Sequence, residues 1–169
     1  MKVTVKMIRA FALILASILL LPMAVAIANT PFVQGVVNGQ WIGAVLQAGG
    51  AGGNVYILPI YAQNAGQVAK IGELQPSSLN GGTISAVFFA NGKMYVTDDL
   101  VLPGECEACH DYATVRRFAV IGETLRQDAV GIVRYPNNGA NSARFRKIVL
   151  ASALRATPGG PEVGQLPRN

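Results

Sequence analysis

Residues 32–98 alternate short apolar runs with glycine-containing breaks. FVQGVVNG and QWIGAVLQ meet at Asn38-Gly39, and NVYILPIYA follows the glycine-dense stretch from Ala48 to Asn54. TISAVFFA and KMYVT flank Asn91-Gly92, a pair suited to a type I′ hairpin because both central positions need positive φ. Runs of this length, rich in β-branched and aromatic residues and punctuated by turns, predict an antiparallel meander ending near Asp98. Beyond residue 112 the pattern changes. In ATVRRFAVIGETLRQ, Val115, Phe118, Ala119 and Leu125 recur at roughly helical spacing, which predicts a helix weakened at Gly122. AVGIVRY reads as another strand, while SARFRKIVLASALRA fits helix or strand equally well. The Pro- and Gly-dense end, residues 157–169, predicts a disordered tail. The expected fold class is mainly β with some α, in a single small domain over 29–156. An antiparallel meander comes first and a mixed helix and strand segment follows.

The N-terminus carries a different pattern. Lys2, Lys6 and Arg9 precede the unbroken apolar run Phe11 to Leu21, then Pro22 and the small residues of MAVAIA. This is the layout of a secretory signal over residues 1–28, with A-x-A sites that predict cleavage after Ala26 or Ala28. The alternative is an uncleaved anchor, since Phe11 to Ala28 is just long enough to span a thin bilayer. With cleavage, about 140 residues remain, the commonest size for one domain, and no later segment approaches a membrane span. A periplasmic or extracellular location follows.

Charge changes the picture once the leader is set aside. The whole chain has a formal net charge of +5, of which the leader contributes three cations, leaving little support for nucleic-acid binding. The remaining charges are sorted. Asp98, Asp99, Glu105, Glu107 and Asp111 stand together without a Lys or Arg between them. Arg116, Arg117, Arg126, Arg134, Arg144, Arg146, Lys147 and Arg155 then face only Glu123 and Asp128. Such blocks read as solvated faces or as oriented docking surfaces, the acidic run matching a redox partner with a basic face.

Candidate chemistry is confined to one place. Both cysteines and the only histidine fall within Cys106-Glu107-Ala108-Cys109-His110. A structural zinc site needs about four N or S ligands, and this chain supplies at most three. A redox CxxC pair belongs at a helix N-terminus in a βαβ framework, which the preceding strands do not provide. A structural disulfide across two residues would close a very small loop and remove little chain entropy. The glycine-rich AGGAGGN lacks a phosphate-binding pattern and reads as a hairpin loop. The single histidine leaves no Ser-His-Asp arrangement. Covalent haem meets every constraint: two thiols for the two vinyl groups, two residues between them, and an adjacent histidine for the iron.

C-x-x-C-H resembles the attachment motif of the c-type cytochrome superfamily, and the resemblance covers those five residues. It implies one covalent haem c held by Cys106 and Cys109, with His110 as proximal ligand. Small mitochondrial-like cytochromes carry the motif early and a methionine after it, whereas here it lies past the middle and no Met follows. The chain is similar to the β-sheet cytochromes c-prime in having strands first and CxxCH late, although it continues for nearly sixty residues beyond. LVLPGECEACH also resembles the short haem modules of magnetosome proteins.

The sixth iron position separates two function classes. Met94 is the one Met after the leader and therefore the candidate sixth ligand, or else a strand residue packed in the sheet. With it, the site is low-spin His/Met with a raised potential. Without it, the iron is five-coordinate or takes a ligand from a neighbouring chain. It still cycles between Fe(II) and Fe(III), as electron carriage requires, but is open to NO, CO, peroxide or hydroxylamine, with Phe88, Phe89 and Tyr95 as candidates for an apolar wall over the open face. An electron-transfer protein is the primary expectation, ahead of an enzyme, because no distal histidine exists for acid-base work. A third class is a β-rich exported structural subunit with a Cys106–Cys109 disulfide. Homo-oligomers remain compatible with all three.

Overall fold

The computed structural model describes residues 32–46, 57–77, 83–100, 112–134 and 142–168. The leader and the CEACH motif both lie outside the described residues. Four strands, β1 (Phe32–Val37), β2 (Gln40–Val45), β3 (Leu58–Asn64) and β4 (Gln67–Leu74), form an antiparallel sheet in chain order. The second sheet runs β10-β8-β7-β6-β5. It is built from β5 (Ile84–Ala90), β6 (Lys93–Leu100), β7 (Tyr112–Ile121), β8 (Thr124–Arg134) and β10 (Glu162–Gln165), with the two-residue β9 (Arg155–Ala156) also on β8. The helix α1 (Ala143–Ala151) precedes β9. Among the described residues the chain is thus mainly β, in two antiparallel sheets with one short helix, as its pattern predicts, and residues 32–169 form one compact unit.

The two sheets meet along both margins. At one margin Asn38 N–H donates to the Gly92 carbonyl at 3.1 Å, and Gly35 lies so close to Phe89 that a Cβ there would overlap its ring. At the other, a Cβ on Gly72 would strike the Val163 carbonyl oxygen and one on Gly164 the Ile71 carbonyl oxygen. Backbone therefore approaches backbone between β4 and β10, which glycine alone permits. Sheet margins left open are templates for further pairing, and this closure covers them.

Between the sheets lies an inner core of Val37, Ile42, Leu58, Ile60, Met94, Val96, Phe118 and Leu125, among others. The second sheet has a second buried face. There Phe88, Tyr95, Ala113, Val115 and Val133 pack beneath Phe145 and Val149 of α1. This double burial corrects the helix expected over ATVRRFAVIGETLRQ, which is instead the β7–β8 hairpin. When both faces of a strand are apolar the period of two disappears, and the residual spacing imitates a helix. Gly122, at φ +62°, is not a weak point in a helix but the first turn residue of that hairpin, as a type II′ turn requires.

Two further expectations change. The tail expected to be disordered contains β10, which pairs with β8, and buries Val163 in the inner core. Its Gly164 serves close approach to β4 and Gly160 lies against the Gln127 carbonyl of β8. β4 was not legible because its turn is Ala65-Gly66, in which an alanine takes φ +47°. The ambiguous segment from Ser142 onward is helical to Ala151: Ser142 Oγ accepts from Phe145 N–H at 3.1 Å, and Ser152 Oγ donates to the Ile148 carbonyl where the helix stops.

Candidate functional site

The connections divide the molecule into two ends. Tight turns at 38–39, 65–66, 91–92 and 122–123 occupy one. They are tied together by Asn38 Nδ2–H to the Val120 carbonyl, Asn64 Nδ2–H to the Pro167 carbonyl and Leu166 N–H to the Glu123 carbonyl. The strand termini that border the connections after β2, β4, β6 and β8 occupy the other: Val45 and Leu58, Leu74 and Ile84, Leu100 and Tyr112, and Arg134. Loops grouped at one end of a rigid β scaffold are where sites are commonly built. Cys106, Cys109 and His110 belong to the connection that leaves β6 at Leu100 and enters β7 at Tyr112, two residues paired directly across the ladder.

What is described at this end is charged and partly buried. Asp98, 2% exposed, lies on the inner face of β6 and accepts from Arg116 on β7 at 2.9 Å. Among the described residues, Asp98 Oδ2 and Arg116 Nε are buried and meet no partner at hydrogen-bond geometry. Burial pushes the Asp98 carboxyl above its ordinary range, outweighing the attraction of Arg116 and a hydrogen bond from the Ser77 backbone. Asp99 alternates to the other face. Its N–H donates to the Thr83 carbonyl at 2.9 Å, and Thr83 Oγ1 donates to its carboxylate. At the first position of β7, the Arg134 guanidinium carbon stands 5.9 Å from the centre of the Tyr112 ring.

These contacts revise the charge reading. The acidic run is less free than its sequence implies, because Asp98 is buried and ion-paired while Glu105, Glu107 and Asp111 lie outside the described residues. Sequence reasoning missed the Asp98–Arg116 pair, which no spacing announces. Cross-strand register alone brings it together.

Met94 is fully buried in the inner core, paired with Phe89 on one side and Phe118 on the other. It stands six residues along β6 from Leu100, about 20 Å from the strand end at ordinary strand rise. Phe88 and Tyr95 stack with centroids 5.0 Å apart in the outer cluster under α1, whereas Phe89 packs with the inner core. The three aromatics therefore sit on two faces of the sheet and do not make one wall. Among the described residues, no group of three or more His, Cys, Asp or Glu gathers as a metal site.

Compared with known proteins, the chain matches no family model, no curated sequence and no solved structure.

Proposed function

We propose that this is an exported monohaem c-type cytochrome that carries single electrons between partner proteins. One observation carries the reading: a chain with two cysteines and one histidine places all three in CEACH, behind a secretory-type leader. The donor set suits the group. Cys106 and Cys109 supply two thioether links and His110 one imidazole, which is the full requirement for attachment and proximal ligation. Bound haem would supply a one-electron couple, and the protein's part is to anchor it and expose an edge to a redox partner. A partner with a basic face suits Asp99 and the acidic residues of the motif, with Asp98 withdrawn into its pair with Arg116. The test is a reductive titration of protein matured with a cytochrome c assembly system. A single reversible one-electron step is expected, and a colourless product would overturn the reading.

A second reading is favoured by the burial of Met94. A methionine held in the inner core is a packing residue, and the chain beyond its leader has no other Met and no second His. The sixth position would then be open to a small ligand such as NO, CO, peroxide or hydroxylamine. Rapid binding of CO by the ferrous protein supports this second reading, and a spectrum unmoved by CO supports the carrier.

A further inference from the structure

The carboxylates of the described residues are almost all engaged. Glu73 pairs with Lys70, Asp98 with Arg116, Asp128 with Lys93 and Arg117, Glu162 with Arg126 and Glu123 with Arg168. Between Asp128 and Glu162 the sequence has Arg134, Arg144, Arg146, Lys147 and Arg155 and no carboxylate. Three of these cations fall on the exposed side of α1, whose buried residues are Phe145 and Val149.

Helix stability does not account for them. Arg144 and Arg146 lie in the first turn, where the helix dipole repels cations, while the last turn has no basic residue and the first turn no acidic one. Arg144 and Lys147 are also like charges three residues apart on one flank. Arg146 is held in place, with its guanidinium carbon 5.6 Å from the centre of the Phe88 ring. A cationic face arranged against its own helix, with no ion-pair partner among the described residues, is complementary to an external anion.

We propose that the exposed face of α1, carrying Arg144, Arg146 and Lys147, docks an acidic surface of a partner protein. Two arginines suit carboxylates that can be held by paired hydrogen bonds. A lipid surface fits less well, because interfacial helices insert an apolar face and that of α1 is committed to the outer core. Three cations are also fewer than the clusters of four to eight that read as lipid-binding. The inference stands on the helix alone and does not depend on haem.

The test measures retention of the full chain on immobilised poly-L-glutamate across a salt series. Arg144→Gln/Arg146→Gln/Lys147→Gln is compared with Lys70→Gln/Arg126→Gln/Arg168→Gln, which removes the same charge elsewhere. The helix variant should bind about tenfold more weakly and the control less than about threefold, with both differences fading at high salt. The helix variant should melt close to the parent, the loss of first-turn cations offsetting the loss of the Arg146 contact with Phe88. Equal weakening by the two variants, or stronger retention on vesicles of phosphatidylcholine and phosphatidylglycerol or on duplex DNA, would overturn the proposal.

Discussion

Asp98 faces Thr114 across the β6–β7 ladder and Arg116 faces Val96, so their ion pair is a diagonal contact on the inner face of the sheet. Removing one partner strands the other charge in a low-dielectric space. Asp98→Ala or Arg116→Ala should therefore cost about 3–5 kcal/mol in chemical denaturation, whereas Asp98→Leu/Arg116→Met should be nearly neutral. The pH dependence has a definite sign. Because folding raises the Asp98 pKa, the native state holds this proton more tightly than the unfolded chain. Its contribution is therefore full below the ordinary carboxylate pKa and is lost as pH rises through the native value. Asp128 opposes it. Burial pushes its carboxyl up, but hydrogen bonds from Arg117 and Lys93 more than offset this and hold it below the ordinary range, so its contribution is lost as pH falls. Denaturation of Asp98→Asn against the parent across mildly acidic pH should show the stability difference changing with pH, and a constant difference would remove the argument. Met94→Leu gives a third residue-scale outcome: a cost below about 1.5 kcal/mol and an unchanged visible spectrum of haem-loaded protein, as expected for a packing residue. Loss of a methionine-dependent ferric band would instead make Met94 a ligand.

At the scale of elements, legibility followed what each face is packed against. β1, β2, β5 and β6 were readable because apolar runs ended at Asn38-Gly39 and Asn91-Gly92, and both pairs take positive φ as such turns require. AVGIVRY likewise read as a strand and is the second half of β8, whereas β7 and the start of β8 were not readable, since burial by the first sheet on one face and by α1 on the other erased their alternation. The tail misled for a related reason: Gly164 reads as a disorder signal but is set by the Ile71 carbonyl against it. Gly164→Val should accordingly separate β10 from β4, lower the melting temperature and make the β8 margin prone to self-association, measurable by light scattering on heating. Gly122→Ala, where nothing crowds the added methyl, should cost only the strain of positive φ, roughly 1 kcal/mol. The candidate attachment residues themselves were fully legible as a linear cluster. Their surroundings were not, because Asp98, Arg116, Tyr112 and Arg134 come together only through strand register.

For the whole molecule, the closed pair of sheets separates a turn end, fastened by side-chain and tail contacts, from an end where the longer connections leave their strands. The connection whose sequence contains CEACH leaves β6 and enters β7 at the second end, and we propose that the scaffold holds one haem covalently attached to that connection. Intact mass spectrometry of the protein exported from a host with a cytochrome c maturation system tests this most directly. The expected product is a chain beginning at Ile27 or Asn29 whose mass exceeds the polypeptide by one haem, with that increment absent from Cys106→Ala/Cys109→Ala. A mature chain lighter than the reduced polypeptide by two hydrogens, with Cys106 and Cys109 joined and no haem bound, would contradict it.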